Sequence, residues 1–272
     1  MSDSIGTDRQ RLRSIEAESI FIIREAYRRV RPLTLLWSIG KDSTALIWLA
    51  RKAFLGAIPF PVMLLDTEME FPEVYAFRDA MIAEWRLDYR NELCPPESAV
   101  DQTLPPAARA AARKTGGLRN AITRDGYTGV LLGIRRDEQA VRAKEKIFSR
   151  RAVDGSWDFR NQSAEFWGYY DAALRDGEHF RIHPLLHWTE LDVWLYTRAE
   201  KIPFCSLYLS NSGKRFRSLG EKNITDPIQS DAISIDQIID ELRATNAPER
   251  AGRVMDSESE DAFERLRAGG YM

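Results

Sequence analysis

Three short segments hold residues whose types and spacing could do chemistry. The first is Ser38-Ile39-Gly40-Lys41-Asp42-Ser43. It follows a short apolar run and precedes an amphipathic one, so it reads as a strand-to-helix loop. Gly40 lets the backbone approach a ligand closely, and successive N–H groups at a helix N-terminus point at an anion. Ser38 and Ser43 add hydroxyl donors, and Lys41 adds a charge. The GxxxxGK[ST] spacing of a Walker A loop is absent. With no ligand, the same residues would make a turn and a capped helix.

The second segment is Gly133-Ile134-Arg135-Arg136-Asp137-Glu138, again after an apolar run. In open parallel sheets, ligands bind beyond the carboxyl ends of the strands. Paired arginines there can grip phosphate or sulfate oxygens bidentately. Lys144 extends the same cationic stretch. From Arg135 to Arg151 there are seven basic and three acidic residues, a net of +4 that could hold a polyanion. For Arg142, Lys146 and Arg151 the simpler expectation is a solvated helix face paired with Glu138 and Glu145. For Arg135 and Arg136, the place directly after a strand favours a site.

The third segment is Asp66-Thr67-Glu68, at another strand end. A carboxylate here can hold Mg²⁺ through water or accept from a ribose hydroxyl, and it can equally cap the turn that follows. His179, His183 and His187 sit four apart. Pro184 breaks the helix that would align them, so no metal site is expected. Trp188 and Trp194 read as core or helix staple.

These residues need positioning elements, and the apolar pattern supplies them. Arg13–Arg29 predicts a helix with Ile15, Ile20, Ile23 and Ala26 on one stripe, stopped by Pro32. Leu33–Trp37, Pro61–Leu65, Thr128–Gly133 and Phe180–His183 read as buried strands. Thr44–Phe54 and a segment from Pro72 to about Arg86 read as helices, with Pro72 at N1. Thr189 predicts an N-cap with Asp192 as its capping-box partner, and Ser234 with Gln237 predicts a second box stapled by Ile233 and Ile238. Glu92–Ala112, rich in Pro and Ala, fits no clear element. Strand, loop and helix in alternation predict an α/β fold, a parallel sheet with helices on both faces, and a C-terminal helical appendage. Leu33–Trp37, Pro61–Leu65 and Val130–Gly133 are expected as adjacent inner strands.

The chain has 272 residues, enough for one to two domains of roughly 150 residues each. The division expected is 1–210 as the domain that carries these three segments and 211–272 as an extension whose polar, loop-rich character suits a surface that orders against something else. Few large apolar groups occur beyond Asn211, with Phe263, Leu266 and Tyr271 as the last anchors. From Glu221 onward twelve acidic residues outnumber six basic ones. A net charge of −2 provides no overall field for nucleic acid. No apolar run approaches the ~20 residues of a membrane span, and the polar first residues lack a signal-peptide pattern. Cys94 and Cys205 are isolated, which favours free thiols in the cytoplasm.

The loop Ser38–Ser43 resembles the Ser-Gly-Gly-x-Asp-Ser loop of the ATP pyrophosphatase (PP-loop) superfamily. The chain is similar to one branch, the small catalytic subunits of the bacterial heterodimeric sulfate adenylyltransferases. That branch is matched by Glu16–Ile20, Trp37–Ser43, Leu49–Phe54 and Leu65-Asp66-Thr67 with Phe71 and Phe77-Arg78-Asp79. The match continues through Arg135–Glu138 with Arg142–Glu145, Asn161-Gln162 with Trp167, and Pro184-Leu185 with Trp188-Thr189-Glu190. It ends with Arg215–Gly220, Glu249-Arg250 and Gly270-Tyr271. The arginine block and the tail are more specific than the loop. Two departures stand out. A stretch between Leu209 and Arg215 is shorter than in longer members, and Glu221 occupies a position where some members carry Cys.

The resemblance implies that ATP and sulfate give adenosine 5′-phosphosulfate and pyrophosphate. Ser38, Ile39, Gly40, Lys41, Asp42, Ser43, Asp66 and Thr67 would bind the nucleotide. Lys41, Asp42, Arg135 and Arg136 would carry catalysis, and Arg135, Arg136 and Lys144 would hold the substrate anion. Mg²⁺ would accompany ATP, and a separate GTPase large subunit would couple GTP hydrolysis to product formation. The alternatives are a sulfonucleotide reductase, which needs a thiolate that no cysteine after Cys205 can supply, another PP-loop adenylating enzyme, and a nucleotide-binding subunit without turnover.

Overall fold

The computed structural model describes residues 2–138, 140–245 and Glu249. In chain order the elements are α1 (Ser2–Arg29), β1 (Leu33–Leu36), α2 (Lys41–Ala53), β2 (Val62–Asp66), α3 (Pro72–Trp85), β3 (Tyr89–Leu93) and α4 (Pro106–Asp125). There follow β4 (Gly129–Leu131), β5 (Phe148–Arg151), β6 (His179–Ile182), α5 (Glu190–Glu200), β7 (Lys214–Arg215), β8 (Ile228–Gln229) and α6 (Ile235–Ala244).

The continuous apolar runs become the inner strands of a six-stranded sheet ordered β3-β2-β1-β4-β6-β5. β1 pairs in parallel with β2, Leu35 opposite Val62, and with β4, Leu33 opposite Gly129. β1, β2, β4 and β6 are buried at every position, because helices cover both faces. The three runs expected to be adjacent are adjacent. From β1 the chain steps outward through β2 to β3, then crosses back to β4 on the other side of β1. With right-handed crossovers, α2 and α3 lie on one face and α4 on the other. The junction of β1 and β4 is therefore the topological switch point, where a crevice opens beyond the strand ends.

Several expectations need correction. α1 starts at Ser2, well before Arg13. The unplaced segment around Glu92–Ala112 contains the end of polar edge strand β3 and the start of α4, which opens with Pro106 in its first turn. The basic stretch after Arg135 is no helix face. It forms short 3-10 turns and then β5, which pairs antiparallel with β6. Arg151 is buried rather than solvated, its Nη2 2.7 Å from the buried Glu145 carboxylate.

Thr189 and Asp192 form the expected capping box on α5. At α6, Ser234 accepts from Gln237 N, but Gln237 Oε1 accepts from Ile233 N, and Ile233 stays exposed instead of stapling the helix. Ile238 and Ile239 are buried, and α6 packs on α5. Arg215 in the β7–β8 hairpin pairs with Glu241 of α6 at 2.8 Å. Residues 211–245 thus fold against the sheet domain. Phe263, Leu266 and Tyr271 lie outside the described residues.

Candidate functional site

The loop after β1 sits at the switch point. Ile39 takes φ +61° and is fully buried. A β-branched residue in the left-handed region is strained, and such strain persists only where the surroundings enforce it. Here Trp37 Nε1 donates to Thr44 Oγ1 at 3.0 Å, and the Ser38 and Ser43 hydroxyls lie 3.1 Å apart, closing the loop on both sides of Ile39. Gly40 is the N-cap of α2. Gly133, after β4, fits close against that helix start. A Cβ there would stand 2.9 Å from Ser43 N and 3.0 Å from Ser43 Cα, so a side chain would push the two loops apart.

A cavity of about 270 Å³ fills the crevice, lined by Ser38, Gly40, Lys41, Asp42, Ser43, Gly133 and Ile134 from the two strand ends. Lys114 of α4, Glu138, Arg142, Tyr208, Glu221 and Glu249 complete its polar wall. A second cavity, of about 390 Å³, lies at the opposite ends of β4 and β6 around Thr128 and His179. Of the residues raised for chemistry from the sequence it contains only His179, of the histidine trio from which no metal site was expected.

A chain of charges, buried at Lys41, Arg135 and Glu249, runs beneath the loop. Lys41 Nζ lies 3.2 Å from Asp42 and contacts Glu249. Arg135, with no exposed surface, contacts Asp42 and Glu249, and its Nε is 2.9 Å from Asp137. Asp137 in turn accepts from the backbone of Glu190, the first residue of α5, at 2.7 Å. Burial alone would raise the Glu249 pKa. Lys41 and Arg135 overcome that and hold the carboxyl well below the ordinary range. Tyr208 OH accepts from Lys41 N at 2.9 Å, and burial pushes its own pKa up to about 12.

The residues expected in the site divide into three groups. Ser38 to Ser43 and Arg135 come together, with Arg135 behind the cavity wall. Asp66 is at the end of β2 but does not line the cavity. Its Oδ1 accepts from Glu68 N and Tyr75 OH, each at 2.8 Å, and its Oδ2 from Asn91 at 3.2 Å, so it caps the following turn. Thr67 touches the site indirectly, donating at 2.8 Å to Glu221. Arg136 and Lys144 are exposed and outside the lining, with Arg136 Nη2 3.5 Å from Glu145 O.

Residues 32–227 match the model of the phosphoadenosine phosphosulfate reductase domain. The chain is 38% identical to sulfate adenylyltransferase subunit 2 of Pseudomonas fluorescens over 96% of its length and 97% of that protein. It is 37% identical to the same subunit of Azotobacter vinelandii over equal shares. The chain belongs to the sulfate adenylyltransferase subunit 2 family. Among solved structures, the fold resembles Candida glabrata FMN adenylyltransferase, with a TM-score of 0.55 at 16% identity over 89% of this chain and 87% of that one. It also resembles the phosphoadenylyl-sulfate reductase of Candida auris, with a TM-score of 0.51 at 16% identity over 76% and 90%.

The alignments to the subunit 2 relatives run over 299 residues, more than this chain has, so the relatives carry stretches that it lacks. Glu221, one of the departures from the pattern, is buried against Thr67 with its Oε1 3.7 Å from Lys114 Nζ. Tyr208, Lys114 and Glu249 line the cavity although no sequence argument assigned them a role. Of these only Glu249 lay in a matched motif. Cys94 and Cys205 are free and buried. Burial pushes the Cys94 thiol up to about 12 and raises that of Cys205, so neither is poised as a thiolate. Among the described residues no three His, Cys, Asp or Glu side chains could hold a metal ion, and no helix is long and apolar enough to cross a membrane.

Proposed function

We propose that the chain is the catalytic subunit of a sulfate adenylyltransferase, joining sulfate to the adenylyl group of ATP and releasing pyrophosphate. A sulfate oxygen forms the new bond to the α-phosphorus as the bond to the β-phosphate oxygen breaks, and the electron pair leaves with pyrophosphate. Sulfate is anionic at neutral pH and needs no general base, so positioning and charge stabilisation carry the reaction. The observation that supports this best is Glu249, a carboxylate already held by Lys41 and Arg135 inside the cavity. The position favours an anion, and phosphate or sulfate oxygens are anions of the same kind.

In this proposal Ser38–Ser43 and Lys41 hold the leaving pyrophosphate, and Arg135 keeps Asp42 and the loop in register. Arg142, in the cavity wall beside Glu138, is better placed for sulfate than Arg136 or Lys144, which would have to swing inward. Mg²⁺ would come with the ATP phosphates, since the cavity carboxylates Asp42, Glu138, Glu221 and Glu249 are engaged with cations or hydroxyls rather than grouped as a cage. The equilibrium disfavours the phosphosulfate anhydride, and a GTPase large subunit would drive it in a cytoplasmic hetero-oligomer. The test is ATP–pyrophosphate exchange with and without sulfate, alone and with that companion. Exchange should require sulfate, and Asp42→Ala should lower it ~10²–10³-fold. Sulfate-independent exchange would overturn the proposal.

A further inference from the structure

Lys114 is the most open of the basic side chains that line the crevice. It keeps 24% of its side chain exposed, against 12% for Arg142 and 1% for Lys41. It comes from α4, where Ala107, Ala111 and Lys114 recur at the spacing of one helix face and all three line the cavity. The two alanines are short, so this ammonium is the one charge that the face brings to the cavity.

The base of the side chain is fixed. Arg113 donates from Nη2 to Thr67 O at 2.9 Å and from Nε to Pro95 O at 2.7 Å, which ties α4 to the turn after β2 and to the segment after β3. A Cβ at Gly117 would stand 2.9 Å from Cys94 Sγ, so the helix lies close against that segment. The tip is held by two carboxylates. Lys114 Nζ is 3.3 Å from Glu70 Oε1 and 3.7 Å from Glu221 Oε1. Both carboxylates are buried, and Glu221 Oε1 also accepts from Thr67 Oγ1 at 2.8 Å. Lys222 N donates to Met69 O at 2.9 Å, which seats the backbone next to Glu221 beside the same turn.

This setting keeps the ammonium charged. Burial by itself would lower the Lys114 pKa, and Glu70 and Glu221 outweigh it and raise the pKa above the ordinary value. An ammonium carries three donors. Glu70 takes one of them. Glu221 is beyond hydrogen-bond distance and acts on Nζ through its charge. It therefore steers the ammonium without using up its donors.

We propose that Glu221, one of the departures from the family pattern, is a positioning residue that with Thr67 holds Lys114 Nζ toward the crevice, where the ammonium binds a tetrahedral oxyanion, either sulfate or an ATP phosphate. This deepens the adenylyltransferase reading above and rests on it. Lys114 shares the cavity with the Ser38–Ser43 loop and Arg142. A compact cation with rotatable donors suits an oxygen whose charge grows as the reaction proceeds.

The experiment uses the full chain with its large subunit. It measures sulfate-dependent ATP–pyrophosphate exchange, reading kcat and the KM for sulfate and for ATP separately, with thermal unfolding of every variant alongside. Lys114→Met should lower kcat/KM ~10²-fold, and Lys114→Arg should recover most of that loss. Glu221→Gln keeps an acceptor for Thr67 and should lower the same constant ~10-fold. In the double variant, Glu221→Gln should add less than ~2-fold to Lys114→Met, because it acts through that ammonium. If Lys114→Met does not fold, Lys114→Gln takes its place in the cycle. A loss confined to sulfate's kcat/KM marks sulfate as the oxyanion, and one confined to ATP's marks a bound phosphate. A loss in both, through kcat, marks the reacting phosphoryl group. An equal Glu221→Gln effect with and without Lys114 would overturn the proposal. So would variants that lose thermal stability and keep the natural kinetic constants, since the cluster would then only tie α4 down. Sulfate-independent exchange by the natural chain would overturn the adenylyltransferase reading, and this proposal with it.

Discussion

At the carboxyl ends of β1 and β4 the chain buries charge, whereas past β5, at the sheet's edge, it exposes aromatic rings. The crevice holds Lys41, Arg135 and Glu249 almost wholly out of water. The turn holds Trp167 wholly in it. Each arrangement is unfavourable for an isolated chain, for opposite reasons. Desolvated charges need counter-charges, and exposed rings leave hydrophobic area unused. The crevice solves its problem internally, through Glu249, Asp42 and Asp137. The turn has no internal solution among the described residues. The crevice is satisfied by its own chain, whereas the turn leaves its rings in water.

The sharpest way to break the comparison is to remove the central cation. Arg135→Met leaves Asp42, Asp137 and Glu249 facing one another with Lys41 as the nearest remaining positive charge. Breaking a buried ion pair by deleting one partner typically costs about 3–5 kcal/mol. We expect a loss of that size in urea unfolding, together with loss of exchange activity. The neighbouring Arg136, exposed and outside the lining, should tolerate Met within about 0.5 kcal/mol. If the two variants were equally stable, the buried network would not be what holds the crevice together.

Lys41, Asp42 and Arg135 could be named from local sequence, but not their pairing with one another and with Glu249. The inner strands were legible because a strand covered on both faces must be apolar throughout, and Thr189 with Asp192 was legible because a cap is a contact three residues long. β3 escaped because an edge strand with exposed Arg90, Asn91 and Leu93 has no apolar signature. β5 escaped because charge suggests exposure, yet Arg151 is buried with Glu145. In the crevice, the loop and Arg135 could be read from strand-end position. Glu249 lies 208 residues from Lys41 and Tyr208 lies 167 from it, so only the fold brings them together.

Glu249 gives the next test, of intermediate size. If its carboxylate stands where a ligand anion would, Glu249→Gln removes a competitor and leaves Lys41 and Arg135 available. Inorganic pyrophosphate should then bind about tenfold more tightly, which is about 1.4 kcal/mol. Weaker binding would instead make Glu249 a positioning residue for the two cations. Stability should move the other way. The Glu249 pKa in the folded chain lies below its unfolded value of about 4.3. Its contribution is therefore complete above that pH and is lost as the pH falls below it. The natural chain should be more stable than Glu249→Gln at pH 7, and the gap should close under acid conditions.

The smallest expected effect is at the turn, and it completes the contrast. Trp167 touches solvent over its whole side chain and sits at a positive φ. Removing the indole takes no packing away from the core, and Asn adopts the left-handed conformation more readily than Trp. Trp167→Asn in the isolated chain should therefore change unfolding free energy by no more than about 0.5 kcal/mol, with any change toward greater stability. A loss of 2 kcal/mol or more would show that the ring packs against its own chain in solution, covering Phe166 or Phe21, and the turn would then be a structural element rather than a presented one. A neutral result for Trp167→Asn, beside a large loss for Arg135→Met, is the pattern expected when one region is satisfied by its own chain and the other leaves its rings in water.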